Sequence, residues 1–180
     1  GTAKKDDSGK VTESSRSSKQ WLAVKYAYKD ARRYAVLRGL TLKGTQKIWD
    51  SSLFAIGLMW AKRQGRDELK RYLDDSYERF WKRELDIEDP NVIVGQLRAS
   101  GCAVQGFESY LAGEGREYHD RLQDEILDRG YYGVPTYVID GEAYFGRQHL
   151  PRVRWHLQGQ VGALPDISYD TILEKRLVAS

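Results

Sequence analysis

Tyr132-Gly133-Val134-Pro135-Thr136-Tyr137-Val138-Ile139-Asp140-Gly141 is the stretch on which the reading of this chain turns. Upstream of it, apolar residues recur every three or four positions. From Pro135 the period changes: Thr136, Tyr137, Val138 and Ile139 are β-branched or aromatic, the types that suit a pleated, half-buried surface. Asp140-Gly141 then reads as a two-residue hairpin turn, whose central positions need the positive φ that Gly and Asp tolerate. Glu142 to Phe145 returns as the second strand, and Arg147 to Leu157 reads as a helix.

Working back from the hairpin, the chain is helical. Leu22, Tyr26 and Tyr34 recur at helical spacing between Trp21 and Leu37, and Arg38-Gly39 stops that helix. Asp50 reads as an N-cap. Leu53, Ile56, Gly57 and Trp60 follow it on one helix face, closed by Gly65. Leu69, Leu73, Tyr77 and Phe80 form the stripe of a helix over about 67–83. Asp89-Pro90 opens the next helix with a cap and a proline whose missing N–H costs nothing there, and Ser100-Gly101 ends it. Phe107, Tyr110 and Leu111 mark a short helix before Gly113, and 114–129 forms another before Gly130. Residues 1–18 hold almost no large apolar side chain, so a disordered polar tail or linker is expected there. The domain is expected over 19–159, with a helical subdomain over about 19–130 and the hairpin and last helix over about 131–159. Residues 160–180 read as a C-terminal tail with one weak helical stretch, Tyr169 to Leu177. A lone hairpin is marginal in water, so the sheet requires further strands that these residues do not obviously supply.

Bulk properties narrow the function. The 180 residues are 41% hydrophobic, enough for a core at this length. The net charge is +3, and acids and bases interleave along the helices, which argues against a nucleic-acid partner. No apolar run approaches the ~20 residues of a membrane span, and no secretory signal is visible, so no membrane partner and a cytoplasmic location are expected. Cys102 is the single cysteine; it excludes a Cys-x-x-Cys site and a cysteine-rich zinc site, and it reads as a small half-buried hydrophobe. His119, His149 and His156 have no metal-site spacing, so no metal is expected.

The order of helical middle, Gly133-Val134-Pro135-Thr136, Asp-Gly hairpin and aromatic-Gly helix start resembles the DsbA-like branch of the thioredoxin superfamily. It is most similar to the glutathione-dependent 2-hydroxychromene-2-carboxylate isomerases, relatives of kappa-class glutathione transferases. Tyr26-x-x-x-Asp30-x-x-Arg33 with Gly39, Asp50-Ser51-Ser52, Phe80-Trp81 through Asp86-Ile87, and Tyr144-Phe145-Gly146-Arg147-Gln148-His149-Leu150 carry the likeness over roughly 21–157. The resemblance implies an α/β thioredoxin-like fold with a large helical insertion. It also implies a cis peptide at Val134–Pro135 and glutathione as co-substrate, pairing with Val134 as an added strand would. Phe145, Gly146 and Gln148 complete that candidate glutathione site, where relatives carry Trp-Gly-x-Asp-Arg; Gln148 supplies no charge in place of the aspartate. Asp50, Ser51 and His149 are substrate-pocket candidates, although capping explains Asp50 equally well. Tyr72, Tyr77, Phe80 and Trp81 read as core or dimer seam.

The family's first strand and helix carry the Ser or Cys that stabilises or forms a thiolate. Ser14, Ser15, Ser17 and Ser18 follow no apolar strand, so that half is either lost or outside these 180 residues, and the catalytic residue is unknown. The implied function is a glutathione-dependent isomerase or transferase working on a small molecule, as a homodimer. The alternatives are a disulfide oxidoreductase whose cysteine segment lies elsewhere, and a non-catalytic peptide- or thiol-binding protein.

Overall fold

The computed structural model describes residues 16–165, together with the backbone of two short strands nearer the N-terminus. In 1–18, where composition predicts a structureless tail, β1 (Ala3–Lys5) pairs antiparallel with β2 (Val11–Ser14), Ala3 opposite Ser14. Such pairing is a backbone property and requires no large apolar side chain. By its contacts the chain divides into two units, Gly1–Asp120 and Arg121–Ser180.

In the first unit α1 (Ser18–Leu37) starts on a capping box. Ser17 Oγ accepts from the Gln20 N–H at 3.3 Å, and Gln20 Oε1 accepts from the Ser17 N–H at 2.7 Å. Leu22, Tyr26 and Tyr34, the residues whose spacing revealed the helix, are exposed, and Ala35 is its buried residue. The core instead forms where α2 (Ser52–Gln64), α3 (Arg66–Lys82), α4 (Pro90–Ala99) and α5 (Phe107–Ala112) pack. Ile56, Tyr72, Ile93, Leu97 and Phe107 are almost wholly buried there. Asp89 caps α4 by accepting from the Asn91 N–H at 2.8 Å, with Pro90 in the first turn. Gly57 is glycine for space: a Cβ there would sit 2.4 Å from Tyr72 Oη. The unit ends inside α6 (Glu114–Asp128).

The second unit holds β3 (Thr136–Ile139), β4 (Glu142–Phe145) and α7 (Leu150–Leu157). The strands pair antiparallel with Thr136 opposite Phe145 and Ile139 opposite Glu142. Asp140 and Gly141 both take positive φ, 51° and 83°, as a hairpin of this length requires. A three-residue 3₁₀ turn, Arg147–His149, leads into α7, which packs on β3. Among the described residues no further strand joins β3 and β4. The helical stretch read at Tyr169 to Leu177 lies outside the described residues.

Candidate functional site

The end of the hairpin collects five of the residues singled out from sequence. The Val134–Pro135 bond is cis, as the resemblance implied. Pro135 O accepts from the Gly146 N–H at 2.8 Å, continuing the ladder one step beyond the strands. Thr136 Oγ1 donates to Gly133 O at 2.6 Å and ties down the approach to the proline. Val134 itself is 91% exposed. Among the described residues nothing pairs with its main chain, so an N–H and a C=O stand open to an extended ligand.

Phe145 forms the wall beside it. Its ring lies 5.0 Å from that of Tyr132, and a Cβ on Gly133 would come within 2.5 Å of Phe145 Cε2. Gly133 is therefore glycine for close approach. Gln148 folds back over Gly146: its Nε2 donates to Phe145 O at 3.1 Å, and a Cβ on Gly146, whose φ is 104°, would meet Gln148 Oε1 at 2.3 Å. The amide is thus engaged with its own turn.

His149 packs differently from the other five. Its ring is 5.7 Å from that of Tyr144, and Tyr144 and Phe145, adjacent in β4, face opposite sides of the hairpin. Tyr144 is buried; its hydroxyl donates to Glu142 Oε2 at 2.7 Å and lies 3.2 Å from His156 Nε2. The bond to Glu142 raises the Tyr144 pKa above the usual phenol value, with burial adding to it. Sequence reading missed this cluster because its members lie on a strand, a turn and a helix with no common period.

Asp50 and Ser51 belong to the first unit. Asp50 Oδ1 accepts from the Ser52 N–H at 2.9 Å, and that backbone bond, with the Ser52 side chain, holds its carboxyl below the ordinary range. Glu88 accepts from the Asp50 N–H at 2.7 Å and also pairs with Lys47. The N-cap of α2 is Ser51, not Asp50 as read from sequence; Asp50 lies one residue before it and accepts from the first helical N–H in a two-residue side-chain turn. Ser51 borders a cleft of about 1390 Å³ that the sequence did not signal. Trp21, Tyr28, Trp49, Phe54, Tyr77 and Phe80 supply its aromatic lining. At its edge Ser76 is buried, and its Oγ has no hydrogen-bond partner among the described residues. Of the N-terminal serines, Ser17 is committed to capping α1. Cys102 is buried in the helical core, and burial raises its thiol pKa, so it stays protonated near neutrality.

These features define a thioredoxin-like protein with a helical insertion. The sequence matches the DSBA-like thioredoxin domain over residues 5–158, most of its length, and the chain belongs to that family. Among solved structures it is similar to a 2-hydroxychromene-2-carboxylate isomerase: the two are 18% identical, with a TM-score of 0.61, over 78% of this chain and 68% of the isomerase chain. That likeness bears on the fold. No curated protein matches the sequence.

Proposed function

We propose that this chain binds glutathione at the hairpin end and works as a glutathione-dependent isomerase or transferase on a small-molecule electrophile. The observation that carries this reading is the open main chain of Val134, 91% exposed ahead of a strand that is itself paired. A cysteinyl peptide laid along it would gain strand-like hydrogen bonds. Phe145 and Tyr132 would flank it with apolar surface, the Phe145 ring seated against Gly133. Bound glutathione supplies a thiol that adds reversibly to an activated double bond, allows rotation, and leaves again. The chain's own residues position and enclose. Gln148 contributes an amide where a carboxylate would pair with the ligand's α-amino group, so binding rests on the main chain and the aromatic wall. Cys102, buried and protonated, does not compete as the sulfur donor. On the same reading the working form is a cytoplasmic homodimer.

Isothermal titration of the chain with reduced glutathione tests this. Saturable binding is expected, weakened about fivefold or more in Val134→Pro, which removes one N–H donor worth about 1 kcal/mol. Absence of saturation in a chain shown to be folded by circular dichroism would overturn the reading.

A further inference from the structure

Charge is distributed unevenly in a way that the chain-wide balance conceals. Residues 16–47 carry nine Lys and Arg against one acid, Asp30, a net +8. The overall charge is +3, so the remainder of the chain stands at −5. The interleaving of signs read along the helices fails in this segment. α1 occupies most of it. Of its bases, Arg33 pairs with Asp30 at 3.6 Å, whereas Lys19, Lys25 and Lys29 are exposed and pair with no acid among the described residues.

The same helix presents apolar groups to solvent. Leu22 is 67%, Tyr26 62%, Val36 74% and Leu37 80% exposed. At 100° per residue these four, with Lys29 and Arg33, fall within one arc of about 100°. Trp21 and Tyr28 lie on the neighbouring side, toward the cleft, whose lining Leu22 and Lys25 also join, while Tyr26, Lys29, Arg33, Val36 and Leu37 lie outside it. An outward face that mixes leucine, valine and tyrosine with unpaired lysines suits one environment well. At a lipid interface, apolar tips enter the acyl boundary while lysine stems snorkel back to the headgroups. A phosphate backbone would use the bases and leave the leucines in water. No described helix is long and apolar enough to cross a membrane, so the helix would lie in the surface plane.

We propose that α1 docks this chain on the surface of an anionic lipid bilayer, with its Leu22–Tyr26–Val36–Leu37 side toward the lipid. The proposal departs from the expectation of no membrane partner and is independent of the glutathione site. Co-sedimentation with phosphatidylcholine vesicles, with and without phosphatidylserine, tests it on the full chain. At low salt the serine-containing vesicles are expected to bind at least about tenfold more protein, a preference that high salt removes. Lys25→Glu with Lys29→Glu, and separately Leu22→Ser with Leu37→Ser, should each weaken that binding about tenfold, with circular dichroism unchanged. No binding, or equal binding to both vesicles, would overturn the proposal. So would binding lost in the charge-reversed pair and kept in the serine pair, since that pattern marks a bare polyanion site. A concentration-dependent dimer that vanishes in the serine pair without vesicle binding would assign the face to a second copy instead.

Discussion

Gly57 shows how one missing side chain holds a helical core together. It sits on the apolar face of α2, at a position the spacing of Leu53, Ile56 and Trp60 marks as buried, yet carries no side chain. Tyr72 explains it. The ring enters from α3, is almost wholly buried, and donates from its hydroxyl to Phe54 O at 3.2 Å. A Cβ on Gly57 would overlap that hydroxyl at 2.4 Å and press Ile93 Cγ2 at 3.0 Å. Gly57→Ala is therefore expected to destabilise the chain by about 1–3 kcal/mol through overpacking, despite alanine's better helix propensity. A lowered urea midpoint with unchanged slope would record it, and a midpoint at or above that of the parent would refute it. Gly133 serves the same purpose at the candidate site, where Phe145 fills the space. Helical spacing located Gly57 and the Gly-Val-Pro-Thr motif located Gly133; their partners emerged only from the packing.

Among the elements, helix starts were the most legible features. Asp89 caps α4 as its sequence predicts, whereas Asp50 stands one residue before the N-cap of α2, Ser51; both carboxylates accept from the backbone N–H two residues on. The consequence for Asp50 is pH dependence with a definite sign. Its folded pKa lies below the ordinary value, so the unfolded chain binds its proton more readily. The contribution is fully present above about pH 5 and disappears as pH falls through the range below about 4. Glu88, lowered by Lys47 and by the Asp50 N–H, acts in the same direction. Asp50→Asn keeps an acceptor and abolishes the titration, so its stability should fall less steeply than that of the parent between about pH 5 and pH 3. Asp50→Ala, which removes the acceptor of the Ser52 N–H, should cost about 1 kcal/mol at neutral pH. Urea unfolding across that range checks both; parallel acid limbs for parent and Asp50→Asn would contradict the first. Helix α1 was legible in extent but not in burial, since Leu22, Tyr26 and Tyr34 mark a helical period equally well whether the stripe faces core or solvent.

At the scale of the molecule, stability is divided between unlike units. The first has four helices closed around Ile56, Tyr72, Ile93, Leu97 and Phe107. Among its described residues the second has a two-stranded sheet, the end of α6, α7 and a small core that includes Tyr144 and Val153. Two strands alone are marginal, and amide protection follows local burial. In native-state hydrogen exchange, amides of α2, α3 and α4 should outlast those of β3 and β4 by at least about tenfold. Equal protection would mean that the hairpin unfolds only together with the helices.

The sequence by itself determined the order of the helices and hairpin from α1 onward, the Asp89 cap, the glycine stops, the hairpin turn and the change of period at Pro135. Each depends on a residue's own backbone preference or on neighbours within one turn, so no distant contact is needed to read it. Membership of the DsbA-like family was legible for the same reason, because its motifs are local and ordered. Tertiary structure alone decided which apolar stripe faces the core, that Gln148 folds onto its own turn, that Tyr144, Glu142 and His156 meet, and that an aromatic cleft lies beside α1. Those outcomes depend on side chains far apart in sequence competing for the same space and the same hydrogen-bond partners, a competition that exists only once the chain has folded.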